Sequence, residues 1–389
     1  MRMKIKVKPE DFIVEEDADL KLHKGGDYKI YLLRKRGFNT VDLLLRLSKK
    51  LDIPFSNFSY GGKKDRHAIT TQHITIKDRK VFDTEEDSFN LRYIGDMQMP
   101  MEANLITGNR FKVVVRDLDE KEALKSKGEI GFVQEHGFIN YFDDQRFGSF
   151  DREQGFIGEK ILQSHHNIAL KIYLTGIHPE DKKAEKERKR YFFNNWGNWN
   201  ECLKRAKTLF EKRAFRILSK KETNPFLTNI LMLPREELSL FFSAFQSYLW
   251  NKLAERLLKA HCSETLLKYR GAYWEYLFYK TLQKGKLNYL RDLNLPTPSQ
   301  NAEMPDALSE RLYQEILTEH ELKPSSFTLR KIRTAFFKSS PRNFLIIPMI
   351  SLAEIEDDEL YTGKKKLILE FKLPRGSYGT MLIKRLMAE

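Results

Sequence analysis

Ser59-Tyr60-Gly61-Gly62-Lys63-Lys64-Asp65-Arg66-His67-Ala68-Ile69-Thr70-Thr71-Gln72 is the stretch on which the reading of the chain turns. Before it, Thr40 stands as an N-cap ahead of Val41, Leu44, Leu45, Leu47 and Leu51, an apolar stripe that predicts a helix of about three turns. After it comes a strand, His73–Ile76. Helix, turn and strand in that order predict a helix covering a sheet. Gly61-Gly62 lets the backbone turn freely, and one carboxylate, Asp65, then sits among Lys63, Lys64, Arg66 and His67. The residues fit a charged surface turn. They also fit a nucleophile, because an aspartate with a reference pKa of about 3.9 is ionised at neutral pH, adjacent cations lower it further, and the same cations can hold phosphates beside it.

Outward from this stretch, period-2 patterning predicts strands at residues 3–7, 28–33, 73–76, 111–116 and 366–373, clustered at both ends of the chain. From about 155 to 345 the pattern turns helical. Its best run is Leu238, Phe241, Phe242, Phe245, Leu249, Leu253 and Leu257, preceded by Pro234. The economical architecture is an α/β (α+β) sheet domain built from both chain ends, residues 1–155 and 347–389, interrupted by a helix-rich insertion, residues 156–346.

Lys plus Arg number 68 against 54 Asp plus Glu in 389 residues, a net charge of +14 that calls for a polyanionic partner, RNA or DNA. The 41% apolar content is that of a globular protein. No window approaches 18 uninterrupted apolar residues, and Phe344–Ile350 is too short and carries a proline, so no membrane span is expected. The N-terminus alternates basic and apolar residues; it reads as a first strand and lacks a signal-peptide core. Cys202 and Cys262 have no CxxC spacing and read as reduced packing residues of a cytoplasmic protein. No P-loop, no G-x-G-x-x-G and no H-x-E…P-C-x-x-C is present, which argues against nucleotide hydrolysis, a dinucleotide site and zinc deamination. His165-His166 and the pair His67, His73 lack metal-ligand spacing. The charge run Lys182–Arg190, followed by Phe192, Phe193, Trp196 and Trp199, is either an RNA-stacking surface or a solvated helix whose aromatic side faces a core.

Gly61–Gln72 closely resembles the catalytic motif of the TruD family of pseudouridine synthases, whose aspartate is the nucleophile. Lys6-Val7-Lys8-Pro9-Glu10-Asp11-Phe12-Ile13-Val14-Glu15 resembles the family's K-x-x-P-E-D-F-x-V-x-E, and Asn140-Tyr141-Phe142-Asp143-Asp144-Gln145-Arg146-Phe147-Gly148 its N-Y-F-x-x-Q-R-F-G. Leu373-Pro374-Arg375-Gly376-Ser377-Tyr378-Gly379-Thr380 resembles its closing L-P-x-G-S-[YF]-A-T. Weaker matches at Arg34–Thr40, Gly108–Phe111 and Ser243–Leu249 extend the likeness over nearly the whole chain.

The resemblance implies isomerisation of uridine to pseudouridine in RNA, typically uridine 13 of tRNA in its D-arm region, without metal, nucleotide or other organic cofactor, by a monomer. It makes Asp65 the nucleophile, attacking either the ribose (a glycal-type route) or C6 of the pyrimidine, and Lys6 the cation that pairs with it. It places substrate contacts on Phe12, able to stack on a flipped base, Asn140, able to read a uracil edge, and Tyr378, able to line the pocket. Arg146 reads equally as a phosphate contact or a buried ion pair. It implies a catalytic pseudouridine synthase domain, a family-specific TRUD insertion domain and an RNA cleft between them. Gly61 and Gly379 stand where the family often has Ala, Asp143-Asp144 where it often has Gly-Glu, and Tyr378 where many members have Phe. None of these removes a proposed catalytic group. The rival reading is a non-catalytic RNA-binding or RNA-folding factor, which needs the basic surface but not Asp65.

Overall fold

The computed structural model describes residues 4–178, 181–220, 223–262, 266–329, 332 and 337–389. The chain begins with β1 (Phe12–Ala18), β2 (Tyr28–Arg36), α1 (Thr40–Leu51), β3 (Phe58–Tyr60), β4 (Ile69–Ile76), β5 (Thr84–Glu86), β6 (Phe89–Met97), β7 (Ile106–Leu118), α2 (Glu120–Gly128), α3 (Ile130–His136) and β8 (Phe138–Ile139). A second run holds β9 (Phe150–Asp151) and β10 (Gly155–Phe156), then α4 (Ile157–Leu162), α5 (His166–Thr175), α6 (Lys183–Asn194), α7 (Trp199–Arg205), α8 (Leu209–Ser219), α9 (Pro225–Leu231) and α10 (Arg235–His261). It closes with β11 (Leu267–Arg270), β12 (Glu275–Phe278), α11 (Lys284–Asp292), β13 (Asn294–Pro296), α12 (Ala307–Glu319) and β14 (Pro341–Asn343). The chain ends with β15 (Leu345–Ile346), β16 (Met349–Asp357), β17 (Lys365–Pro374) and α13 (Gly379–Leu386).

Two compact units result, Met1–Asn140 with Leu345–Glu389, and Tyr141–Phe344. The boundaries fall at 140/141 and 344/345, where the sequence pattern drew them at 155/156 and 346/347. The reason is that residues just after Asn140 are already bonded within the second unit: Phe142 exchanges backbone bonds with the Asn251 amide on α10, and the Tyr141 hydroxyl donates to Leu277 O on β12.

Among the described residues the first unit carries a nine-stranded sheet of order β16-β17-β7-β1-β4-β2-β6-β5, with β3 paired to β4. All of these pairings are antiparallel except β1 with β4, where Ile13, Val14 and Glu15 lie opposite Ile69, Thr70 and Thr71. The sheet of the expected α/β (α+β) domain is thus mixed and largely antiparallel. The predicted strand at 3–7 is absent: Met3 lies outside the described residues, and Lys4 forms only a single bridge to Arg116, because Lys6 turns the chain with φ +59°. β4 starts at Ile69, four residues ahead of the predicted His73, since parallel pairing to β1 recruits the end of the Asp65 segment. Tyr31 and Leu33 on β2 and Ile74 and Ile76 on β4 bury against Leu43, Leu44 and Leu47 of α1. Each such aliphatic side chain contributes roughly 1.5–3 kcal/mol of apolar transfer. The N-cap of α1 is Asn39, whose Oδ1 accepts from Val41 N, and not Thr40, which is the first helical residue and is buried.

In the second unit the 27-residue α10 is the hub, and it starts directly after Pro234 as expected. The basic run forms α6, whose Phe192 is buried against Phe215, while Arg188 pairs with Glu211 and Lys189 with Asp181. This is the amphipathic helix with a core-facing aromatic side. Asp144 accepts from the Tyr276 hydroxyl and Ala272 N, and Asp143 is buried, so both carboxylates serve this unit's own structure. Cys202 and Cys262 are buried and unbridged. Among the described residues no helix is long and apolar enough to cross a membrane.

Candidate active site

The parallel β1–β4 pair is what assembles the site. Parallel strands begin at the same end, so the segment leading into β1 (Lys6 to Asp11) and the segment leading into β4 (Gly61 to Ala68) arrive side by side although they lie about sixty residues apart in sequence. There the Lys6 ammonium bonds the Asp65 carboxylate and stands 4.3 Å over the Phe12 ring. Lys6 holds this pose in the left-handed region of the backbone map, at φ +59°, a conformation that costs a non-glycine residue on the order of 1 kcal/mol and persists where its surroundings impose it.

The chain around Asp65 is fixed by buried polar groups. Lys35 lies in phase with Tyr31 and Leu33 on the α1-covered face of β2 and is only 1% exposed. Its ammonium donates to the carbonyls of Phe38 (2.7 Å), Lys64 (3.3 Å) and Asp65 (2.8 Å), three donors meeting three acceptors. The Thr40 hydroxyl accepts from Lys64 N and donates to Gln72 Oε1, and the Gln72 amide donates to Gly62 O. The Lys64 ammonium reaches Glu16 Oε2 (2.9 Å) and Asn109 Oδ1 (2.7 Å), and Glu16 also accepts from His73 N. The segment is therefore tied down at Gly62, Lys64 and Asp65, and His67 N–H bonds back to the Asp65 carboxylate.

Burial pushes the Asp65 carboxyl up, but the Lys6 charge and hydrogen bond, the His67 backbone N–H bonded to Oδ1 and the His67 ring together outweigh it, so Asp65 sits below the ordinary aspartate range and is ionised. Glu16 behaves alike: burial raises it, and His73 and Lys64 bring it below the usual value. Lys35 moves the other way, lowered by burial to about 8 against the attraction of Asp65.

Of the five expected site residues, Lys6, Asp65 and Phe12 touch directly. Phe12 is nearly buried and meets Phe111 edge-on at 6.1 Å; Phe111 in turn fills the space beside Gly379, the residue after Tyr378 at the head of α13. Tyr378 itself is half-buried, and it is its neighbour Gly379 that meets the Phe111 ring. Asn140 is 3% exposed and follows β8 where that strand pairs with β15. The Gly61-Gly62 turn works differently from the expectation: neither glycine has positive φ, and Gly61 is required by close approach, since a Cβ there would lie 2.5 Å from Ile106 Cδ1 and 3.0 Å from Glu102 O. Sequence reading gave no individual role to Lys35, Glu16 or Gln72. Among the described residues no three His, Cys, Asp or Glu side chains gather as a metal-binding set.

A model of the family tRNA pseudouridine synthase D (TruD) matches residues 1–269 and 281–386. A Methanococcus maripaludis protein named "Probable tRNA pseudouridine synthase D 1" is 35% identical over 98% of this chain and 99% of its own, and a Leptospira interrogans tRNA pseudouridine synthase D is 34% identical over 98% and 95%. A crystal structure assigned to TruD of Methanosarcina mazei superposes with a TM-score of 0.72 at 25% identity, covering 99% of this chain and 93% of that one. Matched almost end to end in sequence and in fold, the chain belongs to the TruD family of tRNA pseudouridine synthases.

Proposed function

We propose that the chain isomerises uridine to pseudouridine in tRNA, at uridine 13 of the D-arm region, with Asp65 as nucleophile and no metal or organic cofactor, acting as a cytoplasmic monomer. The observation that carries this reading is the Lys6–Asp65 ion pair at the shared head of β1 and β4, built from two of the family's own motifs. An ionised carboxylate held on a rigid segment is a nucleophile without further activation. The target base leaves its stack, Asp65 attacks the ribose or C6 of the ring, and the N1–C1′ bond breaks. The uracil turns and C5 bonds to C1′; the C5 hydrogen leaves as a proton, N1 gains one, and Asp65 is released. Lys6 keeps Asp65 ionised and oriented, Phe12 backs the base, and Asn140 and Tyr378 complete its pocket. The sheet unit is the catalytic domain and the Tyr141–Phe344 unit the TRUD insertion. The buried bonds that fix the Asp65 segment favour this over a non-catalytic RNA-binding scaffold, which has no use for a positioned carboxylate.

The test is incubation with an unmodified tRNA transcript, followed by nucleoside analysis and chemical mapping of pseudouridine. The expected result is one pseudouridine at position 13, absent when that uridine is replaced by cytidine. Modification elsewhere would overturn the target, and no pseudouridine in any RNA would overturn the activity.

A further inference from the structure

In the insertion unit, α10, the turn at Asp144–Phe147 and the segment Lys338–Ser340 enclose a cavity of about 440 Å³. Three cations line it, Arg146, Arg235 and Lys338, and among the described residues none has a carboxylate within ion-pair distance. The sequence left Arg146 open between a phosphate contact and a buried ion pair; it is half-buried and unpaired, with only its Nε bonded, to Ser247 Oγ at 3.4 Å. What sets these three apart is their placement: they converge on one hollow, where among the described residues no carboxylate pairs with them.

The walls are preformed. Gln246, buried on α10, donates to the carbonyls of Pro298 (2.6 Å) and Lys338 (3.3 Å), and Thr297 Oγ1 accepts from Ser340 N at 3.0 Å, so the backbone that carries Lys338 is tied to the helix. Ser243 and Ser247 spend their hydroxyl protons on α10 carbonyls, whereas the Ser239 hydroxyl has no partner among the described residues. The cavity also borders the first turn of the 27-residue α10, whose N-cap is Pro234 with no side-chain cap, so its leading N–H groups lack a capping side chain, while Glu236 and Glu237 in that turn offset part of the helix's positive end. Glu236 is the single carboxylate in the lining.

We propose that this pocket binds phosphodiester groups of the RNA substrate, making the insertion unit a backbone-holding module that contributes affinity without reading bases. Its size lies within the roughly 300–1,000 Å³ typical of ligand sites, and its cations, free hydroxyl and helix N-terminus are the donor set that phosphate oxygens accept from. The proposal rests on the tRNA reading above for the identity of the RNA, and it is tested by binding alone.

The experiment is equilibrium filter binding of labelled bulk tRNA to the full chain across a salt series. For Arg146→Gln, Arg235→Gln and Lys338→Gln the slope of log affinity against log salt should flatten by about 0.7–0.9 for each cation removed, with weaker binding of every tRNA sequence alike. Glu236→Gln should bind more tightly than wild type, an effect that a folding defect cannot produce. Lys259→Gln, whose ammonium is paired with Glu255, should leave the slope unchanged. Unchanged slopes in the three variants, or no gain with Glu236→Gln, would overturn the proposal. Calorimetry with inorganic phosphate separates the sources: tight binding of the free ion, abolished by Arg146→Gln while tRNA affinity holds, would also overturn it and mark a free-anion site. Failure of pseudouridine formation would sink the activity and leave this measurement standing.

Discussion

At the scale of single residues the account depends on how Asp65 is held. Lys35 is the positioning residue that sequence reading overlooked, and its ammonium matches three carbonyls with three donors. Lys35→Met leaves those carbonyls short of donors, each unmet bond costing about 1–3 kcal/mol, and lets the Asp65 segment drift. We expect kcat to fall at least tenfold with little change in KM, read by steady-state kinetics beside a thermal melt that confirms folding. The pH dependence follows from the direction of its shift. Below about 8 the folded and unfolded states both carry the Lys35 proton; between about 8 and its ordinary value of 10.5 only the unfolded state does, so stability rises with pH in that window. Wild type should therefore gain stability relative to Lys35→Met on going from pH 8 to 10.5 in urea titrations, while activity declines because a neutral amine has one donor fewer. A gap that does not widen contradicts the buried ammonium. The signal for Lys35 was in the sequence: it continues the alternation of Tyr31 and Leu33, as Glu16 continues that of Phe12 and Val14. Charged residues on the buried phase of a strand are structural or functional commitments, and a pattern search that scores only apolar residues passes over them.

At the scale of elements, two close fits shape the site. Gly61 faces Ile106, the first residue of β7, too closely for a Cβ. Gly61→Ala should cost about 1–3 kcal/mol by overpacking, and combining it with Ile106→Val, which removes the nearest methyl, should recover part of that loss in a double-mutant cycle of melting curves. Additive losses would show that the clash lies elsewhere. The second fit is the lead-in to β1. Arg116 on β7 bonds Asp11 through two nitrogens at 2.9 Å and Asp358 at 2.7 Å, with all three side chains at most 2% exposed. Arg116→Met strands two buried carboxylates and should destabilise by about 3–5 kcal/mol, lowering the urea midpoint; a loss under 1 kcal/mol would mean the cluster is not a support. The helices and long strands were legible from periodicity because local patterns encode them. The parallel pairing of β1 with β4 was not, since nothing local in Ile13–Glu15 names Ile69–Thr71 as its neighbour, and the Lys6–Asp65 contact came from motif resemblance alone.

At the scale of the whole molecule, the sheet unit is assembled from two pieces separated by the insertion. β17, from the C-terminal piece, pairs with β7 over most of its length, so neither piece completes the sheet alone. The insertion leaves and returns through one ladder, with Ile139 opposite Leu345. Chain ends that are already cross-strand neighbours need only a tight turn to connect them. Replacing residues 141–344 with a short Asn-Gly hairpin should give a folded protein with a cooperative melt and much weaker, less salt-sensitive RNA binding; an unfolded product would show that the sheet depends on the insertion. The two-piece architecture was legible because strand and helix periods segregate along the chain. The boundary at 140 was not, because Tyr141–Phe156 has little periodicity and its allegiance is set by bonds to α10 and β12.

The central claim is that Asp65 performs uridine isomerisation. The most direct test is tritium release from tRNA labelled with 5-³H-uridine, comparing wild type with Asp65→Asn, since C5 loses its hydrogen only when it becomes the glycosidic carbon. The substitution is nearly isosteric and removes only the anionic nucleophile. The account predicts release by wild type and none above background by Asp65→Asn, with the variant folded and binding tRNA as wild type does. Release by Asp65→Asn at a rate approaching wild type would contradict it.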